Sequence, residues 1–170
     1  NGSVCFRVRI SVEFSKEIRD MCKNQFYPIC DFYNVIGVGR TLTYLNDRIE
    51  MNPKDAKAWM LRGNFHDDSP GESGKALRDY SIAIAIDPTY AEAYVKRSST
   101  HDDRGEHQQA VQDADEAIRL NPDIALAYVN RASALAALGR DTEAASDVAH
   151  ATKLGYDTVL LQEWLDTLRT

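Results

Sequence analysis

The two ends of the chain carry different apolar periods. Near the start, Val4, Phe6, Val8, Ile10, Val12 and Phe14 alternate with Cys5, Arg7, Arg9, Ser11 and Glu13, a period of two that predicts a strand over 4–14 with one buried face. Ser15 is placed to cap a short helix over 15–25, which Pro28 interrupts. These residues make an N-terminal extension, 1–30, and residues 31–54 then read as a divergent helical pair whose second member includes 41–53. At the other end Leu161, Trp164, Leu165 and Leu168 follow i, i+3, i+4, i+7 spacing while Gln162, Glu163 and Asp166 face away. Residues 158–170 are therefore expected to form a capping helix. A strand in a helical chain has no sheet of its own. Residues 1–14 either pair with a neighbouring chain, join strands from a longer polypeptide, or lie on the helices without being a strand.

Between these ends the pattern repeats. Asn52-Pro53, Asp87-Pro88 and Asn121-Pro122 recur at spacings of 35 and 34, and Gly71, Gly105 and Gly139 recur at 34 and 34. One extra residue sits near Ser69-Pro70. The units then align as Ala58-Trp59, Ala93-Tyr94 and Ala127-Tyr128, followed by Ala76, Ala110 and Ala144, and by Ala83, Ala117 and Ala151. A fixed period of this length predicts stacked copies of one supersecondary unit. Small residues fall where two helices approach closely, Gly where they reverse, and Pro where the next helix starts afresh. The predicted helices are 55–67 and 73–86 in unit one, 90–103 and 107–120 in unit two, and 124–138 and 142–154 in unit three.

These motifs resemble the tetratricopeptide repeat over about residues 55–157, read as three units. The resemblance implies an all-α, right-handed α-solenoid of three helical hairpins, with the divergent pair before it and the capping helix after it. Two departures stand out. His66 and His101 occupy the place of the family's large hydrophobe in the last turn of the first helix, and unit three ends Leu154-Gly155-Tyr156 without a Pro.

Each unit also carries one Arg and one Asp in register: Arg62 with Asp79, Arg97 with Asp113, and Arg131 with Asp147. A bidentate pair between the two helices would fix their register, so the expected role is structural. His66-Asp67-Asp68 and His101-Asp102-Asp103 repeat one tripeptide, predicting an acidic ridge with packed histidines; no metal or other cofactor is expected there.

In the family the first helices line a groove for extended or helical peptides. The resemblance places Lys57, Met60, Asn64, Asp67 and Asp68 there in unit one, Glu92, Val95, Ser99, Asp102 and Asp103 in unit two, and Leu126, Val129, Ser133, Ala136 and Ala137 in unit three. Such a groove is acidic at one end and apolar at the other, and implies a protein or peptide partner with Lys or Arg beside aliphatic residues. One branch of the family grips the C-terminal carboxylate of heat-shock chaperones with two Lys, two Asn and an Arg. Only Asn64 matches that set, the other positions reading Met60, Lys96, Leu126 and Asn130, so no such clamp is expected.

Charge and composition narrow the classes. Lys and Arg total 20 against 26 for Asp and Glu, a net charge of -6, which argues against nucleic acid as a partner. Residues 1–50 have 7 basic and 6 acidic side chains, net +1, and residues 51–170 have 13 and 20, net -7. No apolar run is long enough to span a bilayer. The odd number of cysteines, Cys5, Cys22 and Cys30, leaves at least one without an intrachain partner; reduced thiols in a cytoplasmic setting are the favoured reading and a Cys22 to Cys30 bridge the alternative. No nucleophile with its base, no phosphate loop and no paired-Cys metal motif is present, so the chain is not read as an enzyme. The leading function is a scaffold that binds a partner segment. The alternatives are a constitutive subunit of a larger assembly attached or self-associating through residues 1–14, and the accessory domain of a longer enzyme.

Overall fold

The computed structural model describes residues 38–157; the expected strand over 4–14, the helix over 15–25, the start of the 31–54 pair and the capping helix over 158–170 lie outside the described residues. Those described are all helix and turn. The helices are α1 (Val38–Met51), α2 (Ala56–Asp67), α3 (Ser73–Ile86), α4 (Ala91–Asp103), α5 (His107–Leu120), α6 (Ala125–Ala137) and α7 (Asp141–Lys153). From α2 to α7 every limit falls within a residue of the sequence expectation. By compactness a second unit begins at Leu42, and it holds α2–α7 and all of α1 beyond its first turn.

Within this unit α2 packs with α3, α4 with α5, and α6 with α7, making three hairpins. The hairpins stack through α3 on α4 and α5 on α6, and α4 also meets α2 and α6. Successive first helices are thus neighbours along one face. The nine alanines of the repeat, Ala58, Ala93, Ala127, Ala76, Ala110, Ala144, Ala83, Ala117 and Ala151, are all fully buried. A lone Cβ at each crossing lets the helix axes come close.

Local chemistry explains where each helix stops. In unit two the Gly105 amide donates to Asp102 O (2.8 Å) and the Glu106 amide to His101 O (2.9 Å); in unit three Gly139 and Arg140 do the same to Ala136 and Leu135 (2.9 Å each). This double closure needs a left-handed residue, and Gly105 and Gly139 supply it with φ of 75° and 72°. The same closure follows α7, where the Gly155 amide reaches Thr152 O and the Tyr156 amide reaches Ala151 O. Unit three therefore ends its second helix without proline. Unit one turns differently because it has the extra residue: Ser69 Oγ donates to Phe65 O (2.9 Å), and the Glu72 amide donates to Ser69 O (3.1 Å) across Pro70. Between units, Asp87 Oδ1 accepts from the Thr89 amide (2.9 Å) and Asn121 Oδ1 from the Asp123 amide (3.1 Å), each carboxamide or carboxylate closing a turn over the intervening Pro.

Candidate functional site

Three arginines hold the stack in register. Arg62 donates through Nε and Nη2 to both oxygens of Asp79 (2.7 and 2.8 Å), Arg97 to Asp113 (2.8 and 2.6 Å), and Arg131 to Asp147 (2.7 and 2.7 Å). The remaining Nη1 of each reaches back to the preceding helix, at Asn46 Oδ1 (2.9 Å), Ser81 Oγ (3.0 Å) and Asp115 Oδ1 (2.6 Å). Each guanidinium also lies over the aromatic ring three residues before it, Trp59, Tyr94 or Tyr128. One planar fork thus ties three helices together, which a lysine could not do. Hydrogen bonding to the aspartate raises the Arg62, Arg97 and Arg131 guanidinium values above the ordinary arginine level, so these groups stay charged.

The histidines of the repeated tripeptide close the turns. His66 Nδ1 donates to Glu72 Oε2 (2.7 Å) and His101 Nδ1 to Glu106 Oε2 (2.6 Å), while the Nε2 atoms lie 3.9 and 3.8 Å from Asp79 and Asp113. Each ring joins the end of a first helix to the start of the second. Hydrogen bonds from Lys75 and then His66 hold the Glu72 carboxyl below the usual carboxylate range, as those from His101 and then Arg104 hold Glu106.

The ridge carboxylates divide into two kinds. Asp67 Oδ1 accepts from Thr100 Oγ1 (2.9 Å), and Asp102 accepts from Ser133 Oγ (2.6 Å) and from His107 Nδ1 (2.7 Å). These two stitch one first helix to the next. Burial pushes the Asp67 carboxyl up, with Asp103 and Asp68 adding to it, while the Thr100 hydroxyl opposes the shift. Asp68 and Asp103 are exposed.

A recess of about 210 Å³ runs across the first helices, lined by Met60 and Asn64 of α2, Glu92, Val95 and Lys96 of α4, and Ile124 and Leu126 at the start of α6. It brings together five residues of the expected groove. Met60 and Val95 form its floor, 6% and 4% exposed. Lys57, Ser99 and Val129 are not part of this lining. Ala136 is buried and Ala137 exposed. Lys96 and Ile124 are additions the groove pattern did not supply; Lys96 lies one turn beyond Glu92, and Ile124 stands at the helix-start position occupied by Tyr90 one unit earlier. Asn130 turns inward, its Nδ2 donating to Val95 O (2.9 Å). No group of three or more metal-ligating side chains occurs among the described residues, and no described helix is long and apolar enough to cross a membrane.

Stacked hairpins with a common inner row of helices define an α-solenoid. The family model for the tetratricopeptide repeat matches residues 95–153. Among solved structures the chain is similar to the Arabidopsis OM64 TPR domain, at 28% identity and a TM-score of 0.62 over 67% of this chain and 93% of that one. It is similar to the second TPR of Spaghetti (RPAP3), bound to the HSP90 peptide SRMEEVD, at 25% identity and 0.58 over 63% and 98%. MamA matches in fold, at 20% identity and 0.67 over 87% and 96%. No curated protein sequence matches the chain. Residues 95–153 thus match the tetratricopeptide repeat family, whose members are protein-interaction scaffolds, and the stacked hairpins share the fold of its solved domains.

Proposed function

We propose that the first-helix face holds a segment of a partner protein, with an aliphatic side chain in the recess and basic side chains toward Asp68, Asp103 and Glu92. The observation that carries this reading is the recess itself, an apolar lining of Met60, Val95 and Leu126 spanning three consecutive first helices. Apolar anchors supply most of the affinity in such a site, and rim charges set orientation and association rate. Because Asp67 and Asp102 are engaged with hydroxyls, the exposed Asp68 and Asp103 carry the steering.

The peptide in the RPAP3 complex, SRMEEVD, has three acidic residues among its last four. That chemistry suits this face poorly: Met60 lies buried, Asn130 is turned onto Val95 O, and Lys96 is the lining's one basic side chain. A blocked, fluorescent peptide of lysine and leucine is the probe, read by anisotropy against salt concentration. Leu126→Ser should weaken it about tenfold, equivalent to about 1.4 kcal/mol, with helicity unchanged. Asp68→Asn with Asp103→Asn should slow association and flatten the salt dependence. Equal binding by the Leu126 variant, or tighter binding of SRMEEVD than of the basic peptide, would remove this reading.

A further inference from the structure

Tyr80 lies on α3 outside the recess lining and is fully buried, in the same core cluster as Met60. Its ring passes over Gly63, where an added Cβ would sit 2.5 Å from Cε1. The glycine is a window: it lets the phenol cross α2 and donate from its hydroxyl to Asn64 Oδ1 at 2.9 Å. Asn64 lines the recess. Its Nδ2 lies 3.4 Å from Met60 Sδ, a weak acceptor. This arrangement fixes the amide. With Oδ1 receiving the Tyr80 proton, both N–H bonds of Nδ2 belong to the Met60 side and the recess. The flipped amide would set its oxygen lone pairs against the thioether sulfur. Units two and three lack the device, since Ser98 with Ala114 and Ala132 with Val148 stand where unit one has Gly63 with Tyr80.

We propose that Tyr80 is a positioning residue for the groove: through the Gly63 window it orients Asn64 so that unit one presents an N–H donor, and the bound segment meets it with a carbonyl oxygen. The proposal rests on the reading of the recess as the binding face. A site built to donate one hydrogen bond discriminates against a partner that lacks the acceptor, because the desolvated donor is left unpaired. Unit one would thus fix the register of the segment, while the apolar floor supplies its affinity.

The experiment uses the full chain with the Asn64 side-chain amide as reporter. In the wild type, NMR should give two distinct Asn64 amide protons with a cross-relaxation contact to the Met60 methyl. Tyr80→Phe keeps the ring in the window and removes the proton. It should lose that contact, leave the helical signal in circular dichroism intact, and weaken the lysine and leucine peptide about tenfold. Asn64→Asp keeps an acceptor for Tyr80 but offers no donor, and at high salt, where its attraction for the lysines is screened, should weaken the peptide similarly even if the phenylalanine variant fails to fold. Unchanged Asn64 resonances in Tyr80→Phe, or undiminished peptide binding by Asn64→Asp at high salt, would overturn the proposal. A wild type that shows the Asn64 contact but binds no peptide would defeat the groove reading while leaving the Tyr80 orientation of Asn64 standing.

Discussion

The first two hairpins and the third reach the same geometry by different chemistry. Where units one and two place His66 with Glu72 and His101 with Glu106, unit three places Leu135 with Arg140. Leu135 is 3% exposed and joins Val111, Val148 and the surrounding alanines in an apolar cluster. Arg140 turns outward to Glu143 on the surface (2.7 Å). Both partners change together, so each turn is closed either by a hydrogen-bonded ring or by buried hydrocarbon, never by half of each. A buried imidazole without its carboxylate would leave an unsatisfied polar atom. The difference teaches that the Arg–Asp fork, which all three units share, defines the hairpin, and that the residue beneath the turn need only fill the space with its polar atoms satisfied.

The largest effect should come from Leu135→Ala. Emptying the apolar closure of unit three should cost about 3 kcal/mol, read as a lower midpoint in chemical denaturation, because no polar partner is available to compensate.

Next come the forks, which all three units share. Asp113→Ala should cost about 2 kcal/mol, a value reduced from that of a fully buried pair because Arg97 is partly exposed and keeps Ser81. Asp79→Ala and Asp147→Ala should match it closely despite the different turns. A wide spread among the three would mean that the fork and the closure beneath it are coupled. A double-mutant cycle with His101→Leu measures that coupling directly.

The smallest effect at neutral pH should be the transplant of unit three's solution into unit two, His101→Leu with Glu106→Arg. Its signature is in the acid limb. The Glu106 carboxyl is held below its ordinary 4.5 in the folded chain, first by His101 and then by Arg104, so its contribution is complete above that value and is lost as pH falls through the folded value. The double variant should therefore lose less stability than the wild type on acidification below about pH 4.5. Parallel acid titrations of the two proteins would contradict the assignment.

How much of this was legible depends on the range of the interaction. Helix limits were readable because Asx-Pro pairs, turn glycines and the fully buried alanines act within a few residues of themselves. The Arg and Asp of each unit could be paired from register, since a hairpin of fixed length brings them opposite. The third bond of each arginine, back to Asn46, Ser81 or Asp115, could not, because the acceptor type changes from amide to hydroxyl to carboxylate along the chain. Of the acidic ridge, sequence alone gave four equivalent carboxylates. The structure separates them, since Thr100 and Ser133 arrive from the next hairpin and engage only Asp67 and Asp102.

The sequence by itself determined the 34-residue period, the hairpins and the row of first helices, because each follows from local sterics repeated at a constant interval. Tertiary structure alone decided what that row presents: which carboxylates remain open, that Met60 and Val95 form a floor, that Asn130 turns inward, and that Tyr80 reaches Asn64 over Gly63. Those outcomes depend on the distance and rotation between one helix and another, which stacking sets and no single repeat contains.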